Sequence, residues 1–340
     1  MASVSASLPS TSLTPSILRY LAIASALAGG CFVLNNFLIF SFGMPGLYGA
    51  LQGFGFGFEG VYGAPEGLDV AFGMGQLALY AAALLWPAYH VFMAAPHAMA
   101  EDEARLAAIA SYIIRAAFWS VLLVGAVDAV ISFMRIEGFL PSLVGAQMTE
   151  NLGRSVFRGT YVHMPLMFLS LIIAARSKGL SFIWLASLIV IAELLIVLAR
   201  FIFSYEQAFM GDLVRFWYAA LFLFASAWTL IEEGHVRVDV LYAGLSERMK
   251  SWSNVVGALI LGMPLCWVIL SRGLWSKSAA VNSPLLNFET SQSGFGMYVK
   301  YIMASFLIIF ALSMLFQFAS FMLTHLRKLY LSDTTSAAQS

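Results

Sequence analysis

The stretch YIMASFLIIFALSMLFQFASFM, residues 301–322, holds no Asp, Glu, Lys or Arg. At about 1.5 Å rise per residue, a helix of that length crosses the roughly 30 Å hydrocarbon core of a bilayer. Apolar blocks of the same kind recur upstream, and together they predict spans at 17–40, 70–93, 108–134, 156–175, 182–203, 213–231, 253–275 and 298–324. The fourth is the weakest block, because His163 and Pro165 interrupt it. Of 340 residues, 61% are hydrophobic and 11% charged, whereas a soluble domain carries about a quarter charged residues. Such a chain cannot cover itself with a hydrated surface. In lipid, only structures that satisfy their own backbone hydrogen bonds are stable, so the fold class is an all-α integral membrane protein of about eight transmembrane helices.

Residues 1–16 are rich in Ser and Thr and lack Lys and Arg, which reads as a disordered tail rather than a secretory signal. Residues 331–340 read as a second tail. The chain divides at a short polar junction near Arg176 into two four-span halves, 17–178 and 179–330. His97 followed by AMAEDEARL faintly echoes His235 followed by VRVDVLYAGL, and halves with an even number of spans would be parallel repeats. Cys31 and Cys266 sit in separate apolar blocks and read as small core residues.

Lys plus Arg equals Asp plus Glu at 18 each, so there is no basic face for nucleic acid. The cationic residues split almost evenly between the two sides. Arg19, Arg105, Arg176, Lys178, Arg237, Arg248, Lys250, Arg327 and Lys328 fall on one, and Arg135, Arg154, Arg158, Arg200, Arg215, Arg272, Lys277 and Lys300 on the other. The first long loop, 43–69, has acids and no Lys or Arg, which places both termini in the cytoplasm by the positive-inside rule. Within that loop GFGFGFEG, 53–60, lacks a following GKS or GKT and reads as a packed loop rather than a phosphate cradle.

After the sixth block comes TLIEEGHVRVDVLYAGLSERMKSW, 229–252. Val238, Leu241, Leu245, Met249 and Trp252 recur every three or four residues, which describes an interfacial amphipathic helix between spans six and seven. The pattern GHVRVDVLY, so placed, resembles the hallmark of the small permease (DctQ-type) subunit of tripartite ATP-independent periplasmic (TRAP) transporters. Arg200 and Phe201, Asp212, Arg215, Glu289, Ser291 and Lys300 extend the resemblance, which covers about 180–328. Two departures stand out: 1–178 has no counterpart in the family's four-span unit, and position 212 is Asp where the family usually has Glu.

The resemblance implies a bacterial inner-membrane helper subunit without catalytic, substrate-binding or metal residues. Its partners would be a large permease subunit (DctM-type), a periplasmic solute-binding protein and membrane lipids. It implies sodium-driven uptake of an organic acid, with substrate and sodium sites in the large subunit and no cofactor in this chain. His235, Arg237, Asp239, Asp212, Arg215 and Arg200 become candidates for subunit or lipid contact. Glu193 and Asp128, acids deep in spans five and three, are intramembrane polar candidates. Each has an Arg seven residues on, Arg200 and Arg135. Proton relay and helix-to-helix or subunit hydrogen bonding are the two readings of these acids. Two rival functions stand beside the helper subunit. His90 and His163, in different spans, could hold a b-type haem in an electron-transfer subunit, or the chain could be an autonomous carrier.

Overall fold

A computed structural model describes residues 13–55, 67–93, 99–177, 182–205, 208–231, 242–290 and 296–337. The described residues are helices and short connections, with no strand among them. In chain order the helices are α1 (Leu13–Phe42), α2 (Leu47–Gly53), α3 (Gly67–Met93), α4 (Met99–Ile136), α5 (Leu140–Val144) and α6 (Ala146–Leu152). Then come α7 (Ser155–Arg176), α8 (Phe182–Phe203), α9 (Ala208–Ile231), α10 (Glu247–Leu274), α11 (Asn282–Leu286) and α12 (Lys300–Ala337). Eight of the described helices, α1, α3, α4, α7, α8, α9, α10 and α12, are long and apolar enough to cross a membrane. They coincide with the eight blocks expected from the sequence.

Helix ends overrun the apolar blocks where polar residues still favour helix. α1 begins at Leu13, inside the expected tail, with Pro15 in its first turn, where proline costs no hydrogen bond. α12 continues to Ala337, past residue 331. Of the amphipathic stripe, Val238 and Leu241 lie outside the described residues and Leu245 falls in a turn. Met249 and Trp252 sit on the first turns of α10, which runs straight on as the seventh span. Ser246 caps that helix by accepting the backbone N–H of Met249, the usual service of an N-terminal serine. Residues 56–66 of the glycine-rich loop, and both histidines of the faint repeat, His97 and His235, also lie outside the described residues.

Two of the spans contain a single π turn, Gly159–His163 in α7 and Ala258–Gly262 in α10. Each is followed by Met-Pro-Leu, at 164–166 and 263–265. A helical proline removes one backbone donor and crowds the carbonyl four residues earlier. A π turn widens the helix at that carbonyl, which accounts for the matching position of the two irregularities.

The chain forms two compact units: Met1–Ile109 with Gly234–Leu270 and Met314–Ser340, and Ala110–Glu233 with Ser271–Ser313. Each draws on residues from both sides of position 178. In the first unit, α2 lies against α3 through glycines. A Cβ on Gly73 would strike the backbone of Ala50 and Gly49, and one on Gly49 would stand 2.6 Å from the carbonyl of Asp69. Trp267 donates to Ser25 at 2.9 Å and packs edge-on to Phe32. In the second unit, Trp217 lies over Gly125 and donates to the Val121 carbonyl at 3.3 Å, while Phe216 and Phe224 both meet the ring of Phe306.

Backbone cannot yield as a flexible side chain does, so Gly73→Ala should lower the melting midpoint of the purified chain in detergent, at a cost of about 1–3 kcal/mol. Gly75→Ala, facing open space two residues on, should leave the midpoint unchanged.

Candidate functional site

Charges are the rarest groups in this chain, and in lipid an unpaired one costs on the order of 3 kcal/mol or more. The second unit nevertheless encloses Asp128, Ser132, Arg158 and His163, all with no exposed surface. The Asp128 carboxylate is the hub. Its Oδ1 accepts from Arg158 Nη1 at 2.9 Å and lies 3.0 Å from His163 Nε2; its Oδ2 accepts the backbone N–H of Tyr298 at 2.9 Å. Arg158 also donates to Ser132 Oγ at 3.1 Å and to the Leu152 carbonyl at 2.9 Å, and its guanidinium lies 4.2 Å from the Tyr298 ring centroid. His163 Nδ1 stands 2.7 Å from the Tyr301 hydroxyl.

The π turn explains how one acid reaches both partners. Arg158 and His163 are five residues apart, which in an α-helix would aim them in widely different directions. In the i→i+5 geometry they stand one above the other and converge on Asp128. Gly159 between them allows the last approach, because a Cβ there would strike the Phe288 ring and come within 3.1 Å of the Tyr301 hydroxyl.

One proton arrangement satisfies the set. Ionised Asp128 balances Arg158, His163 donates through Nε2–H to the carboxylate, and Tyr301 donates its O–H to Nδ1. The Asp128–Arg158 pair is then neutral, and among the described residues Arg158 Nη2 is the one nitrogen of its guanidinium left without a hydrogen-bond partner.

Asp128 does not pair with Arg135 seven residues on; Arg135 bonds the Tyr298 hydroxyl and lies over the Tyr298 ring. The partner of Asp128 is Arg158, near the start of the fourth expected span, and nothing in local spacing connects the two. The available signal was Arg and His five residues apart just before Pro165. For haem ligation, His163 would have to surrender Tyr301 or Asp128, since both of its ring nitrogens are engaged.

The remaining candidates scatter. Asp212 Oδ2 accepts the Met297 N–H at 3.1 Å, beside the Tyr298 N–H taken by Asp128. Two acids from α9 and α4 thus hold consecutive donors just ahead of α12, where the helix dipole favours negative charge. Arg215 is exposed and 3.6 Å from Asp212. Lys300 and Glu289 form an ion pair at 2.5 Å. Arg200 and Glu193 are both exposed on α8 and do not pair with one another. His235, Arg237, Asp239 and Ser291 lie outside the described residues.

A second buried ion pair occupies the first unit. Arg19 donates through Nε to Asp102 at 2.9 Å, and His90 Nε2 meets the other oxygen of Asp102 at 2.9 Å, its ring stacked on Trp86. The described residues contain no cluster of His, Cys, Asp and Glu able to hold a metal ion.

Residues 187–327 match the family model of the DctQ component of tripartite ATP-independent periplasmic transporters. Over these residues the chain is similar to the DctQ family. No curated protein and no solved structure matches the chain. Residues of the DctQ region also bond residues that precede it. In one unit it brings Tyr298, Tyr301 and Trp217 to Asp128, His163 and Val121. In the other it brings Trp267 to Ser25, Ser320 to the Glu103 carbonyl, and Arg327 to the Glu103 carboxylate at 3.0 Å. The residues that precede the DctQ region are built into its packing.

Removing one partner of a buried pair strands the other. Asp128→Leu should therefore destabilise the chain by about 3–5 kcal/mol, whereas Tyr301→Phe, which deletes one hydrogen bond, should cost about 1 kcal/mol. Thermal melting of the two variants in detergent reads the difference.

Proposed function

We propose that this chain is the small membrane subunit of a TRAP-type secondary transporter, scaffolding a large permease subunit for sodium-driven, binding-protein-dependent uptake of an organic acid. The observation that carries the proposal is the DctQ match over 187–327, whose residues form four of the eight candidate spans. The buried charges support a non-catalytic role. Asp128, Arg158 and His163 close on one another, and Arg19 closes on Asp102 with His90, so these side chains are committed to holding helices together.

In this reading 17–178 is an additional four-span unit joined to the DctQ-like unit at 179–330. The chain resides in the bacterial inner membrane with both termini cytoplasmic. Two cations counted toward opposite sides, Arg19 and Arg158, are neutralised inside the protein, so the balance that fixes orientation still rests on the first loop. The large permease holds the substrate and sodium sites, and the binding protein delivers the solute. Arg237 and Asp239 serve docking or lipid contact at the membrane boundary, where arginine can meet lipid phosphate.

The tagged chain, drawn from native membranes in mild detergent, should bring with it a much larger polytopic protein identifiable as the TRAP permease. Replacing Arg237 and Asp239 together by alanine should reduce that yield severalfold. Recovery of the chain without any permease would count against the proposal, and undiminished yield from the double variant would count against those two residues.

A further inference from the structure

The acid at 193 is the counterpoint to Asp128. Glu193 lies midway along α8, about 15 Å from either end at 1.5 Å per residue, so its short side chain cannot reach headgroups. Its side chain is exposed, and it forms no hydrogen bond or ion pair among the described residues. α8 turns a stripe of Leu185, Ile189 and Ala192 into the protein. On the other side of Glu193 stand Val190, Leu194, Val197 and Phe201, all exposed.

Lipid tails offer this carboxyl group no partner, and intramembrane acids characteristically face protein or water. A donor on another transmembrane helix would supply what the described residues do not. A second copy of this chain docking through the same face about a two-fold axis would set Glu193 against its own counterpart, placing two acids together in a low-dielectric medium. A different protein that presents a cationic or hydroxyl-bearing side chain at that depth satisfies the group instead.

We propose that the Glu193 face of α8 is the docking surface for the large permease subunit, which presents a hydrogen-bond donor to Glu193 at the middle of the membrane. The proposal rests on the reading of this chain as a transporter's small subunit and adds the helix face and the chemistry of the contact.

The test places a photo-crosslinking amino acid in the full chain at Val190, at Val197, or at Leu195 on the opposite side of α8, and irradiates native membranes. Peptide masses then identify what is captured. Crosslinks to the large permease should form from 190 and 197 several times more strongly than from 195. Glu193→Leu should weaken them roughly three- to tenfold, as expected for one interhelical hydrogen bond in a membrane, and Glu193→Gln, which keeps a polar partner, should weaken them less. Neither variant should lower the melting midpoint of the isolated chain.

Co-purification of the permease with crosslinks only from 195, capture of a second copy of this chain from 190 and 197, or a lower midpoint for isolated Glu193→Leu would each overturn the docking face while leaving the small-subunit reading in place. Absence of the permease from both pull-down and crosslinks would remove that reading and this inference with it.

Discussion

A carboxylate and a guanidinium sealed away from water can exist only if each supplies what the other has lost, and the pairing of Asp128 with Arg158 meets that condition. The bond fixes α7 against α4, and through the Tyr298 N–H it also fixes the approach to α12. Three consequences follow from the single requirement that buried charge be paired. The π turn places Arg158 and His163 on one line; Gly159 leaves room for Phe288 and Tyr301; and Asp212, on α9, takes the backbone donor beside the one Asp128 takes. Arg19 and Asp102 apply the same rule in the other unit. Isolated ion pairs of this kind are weak contributors to stability in themselves, but they are exacting about geometry, which suits a protein whose helices have little hydrophobic drive to choose one packing over another in lipid.

The same rule separates the acids by role. Asp128, Asp102 and Asp212 each find donors within their own unit, and these donors come from chain segments distant in sequence. Glu193 finds none. A helper subunit needs both kinds: internal pairs that hold a scaffold rigid, and an unsatisfied group that another protein completes. Described residues that precede the DctQ region, such as Ser25 and Glu103, share in the packing of its spans.

The spans were legible because lipid imposes a length and a composition that can be read one block at a time; 182–203 was placed to the residue. Asp128 and Glu193 were legible as unusual because an acid in an apolar block is conspicuous. Their partners were not. Helical spacing shows only an Arg seven residues on from each, Arg135 and Arg200, whereas the donor to Asp128 comes from a different helix, through a π turn that ordinary 3.6-residue periodicity does not describe. Arg158 stands at the start of the weakest apolar block and counts there as a charge of one membrane side, and only its burial against Ser132 and the Leu152 carbonyl shows its role. The two-unit organisation was likewise hidden, since it depends on contacts between residues more than two hundred positions apart, such as Glu103 with Arg327.

The central claim, that the charges of this chain build a scaffold and do not conduct, is tested most directly by solute uptake into sodium-loaded or sodium-free liposomes. Purified chain alone should give no uptake above empty vesicles under either gradient, and uptake should arise only when the large permease and the solute-binding protein are both added. Gradient-driven uptake by the chain alone would contradict the account.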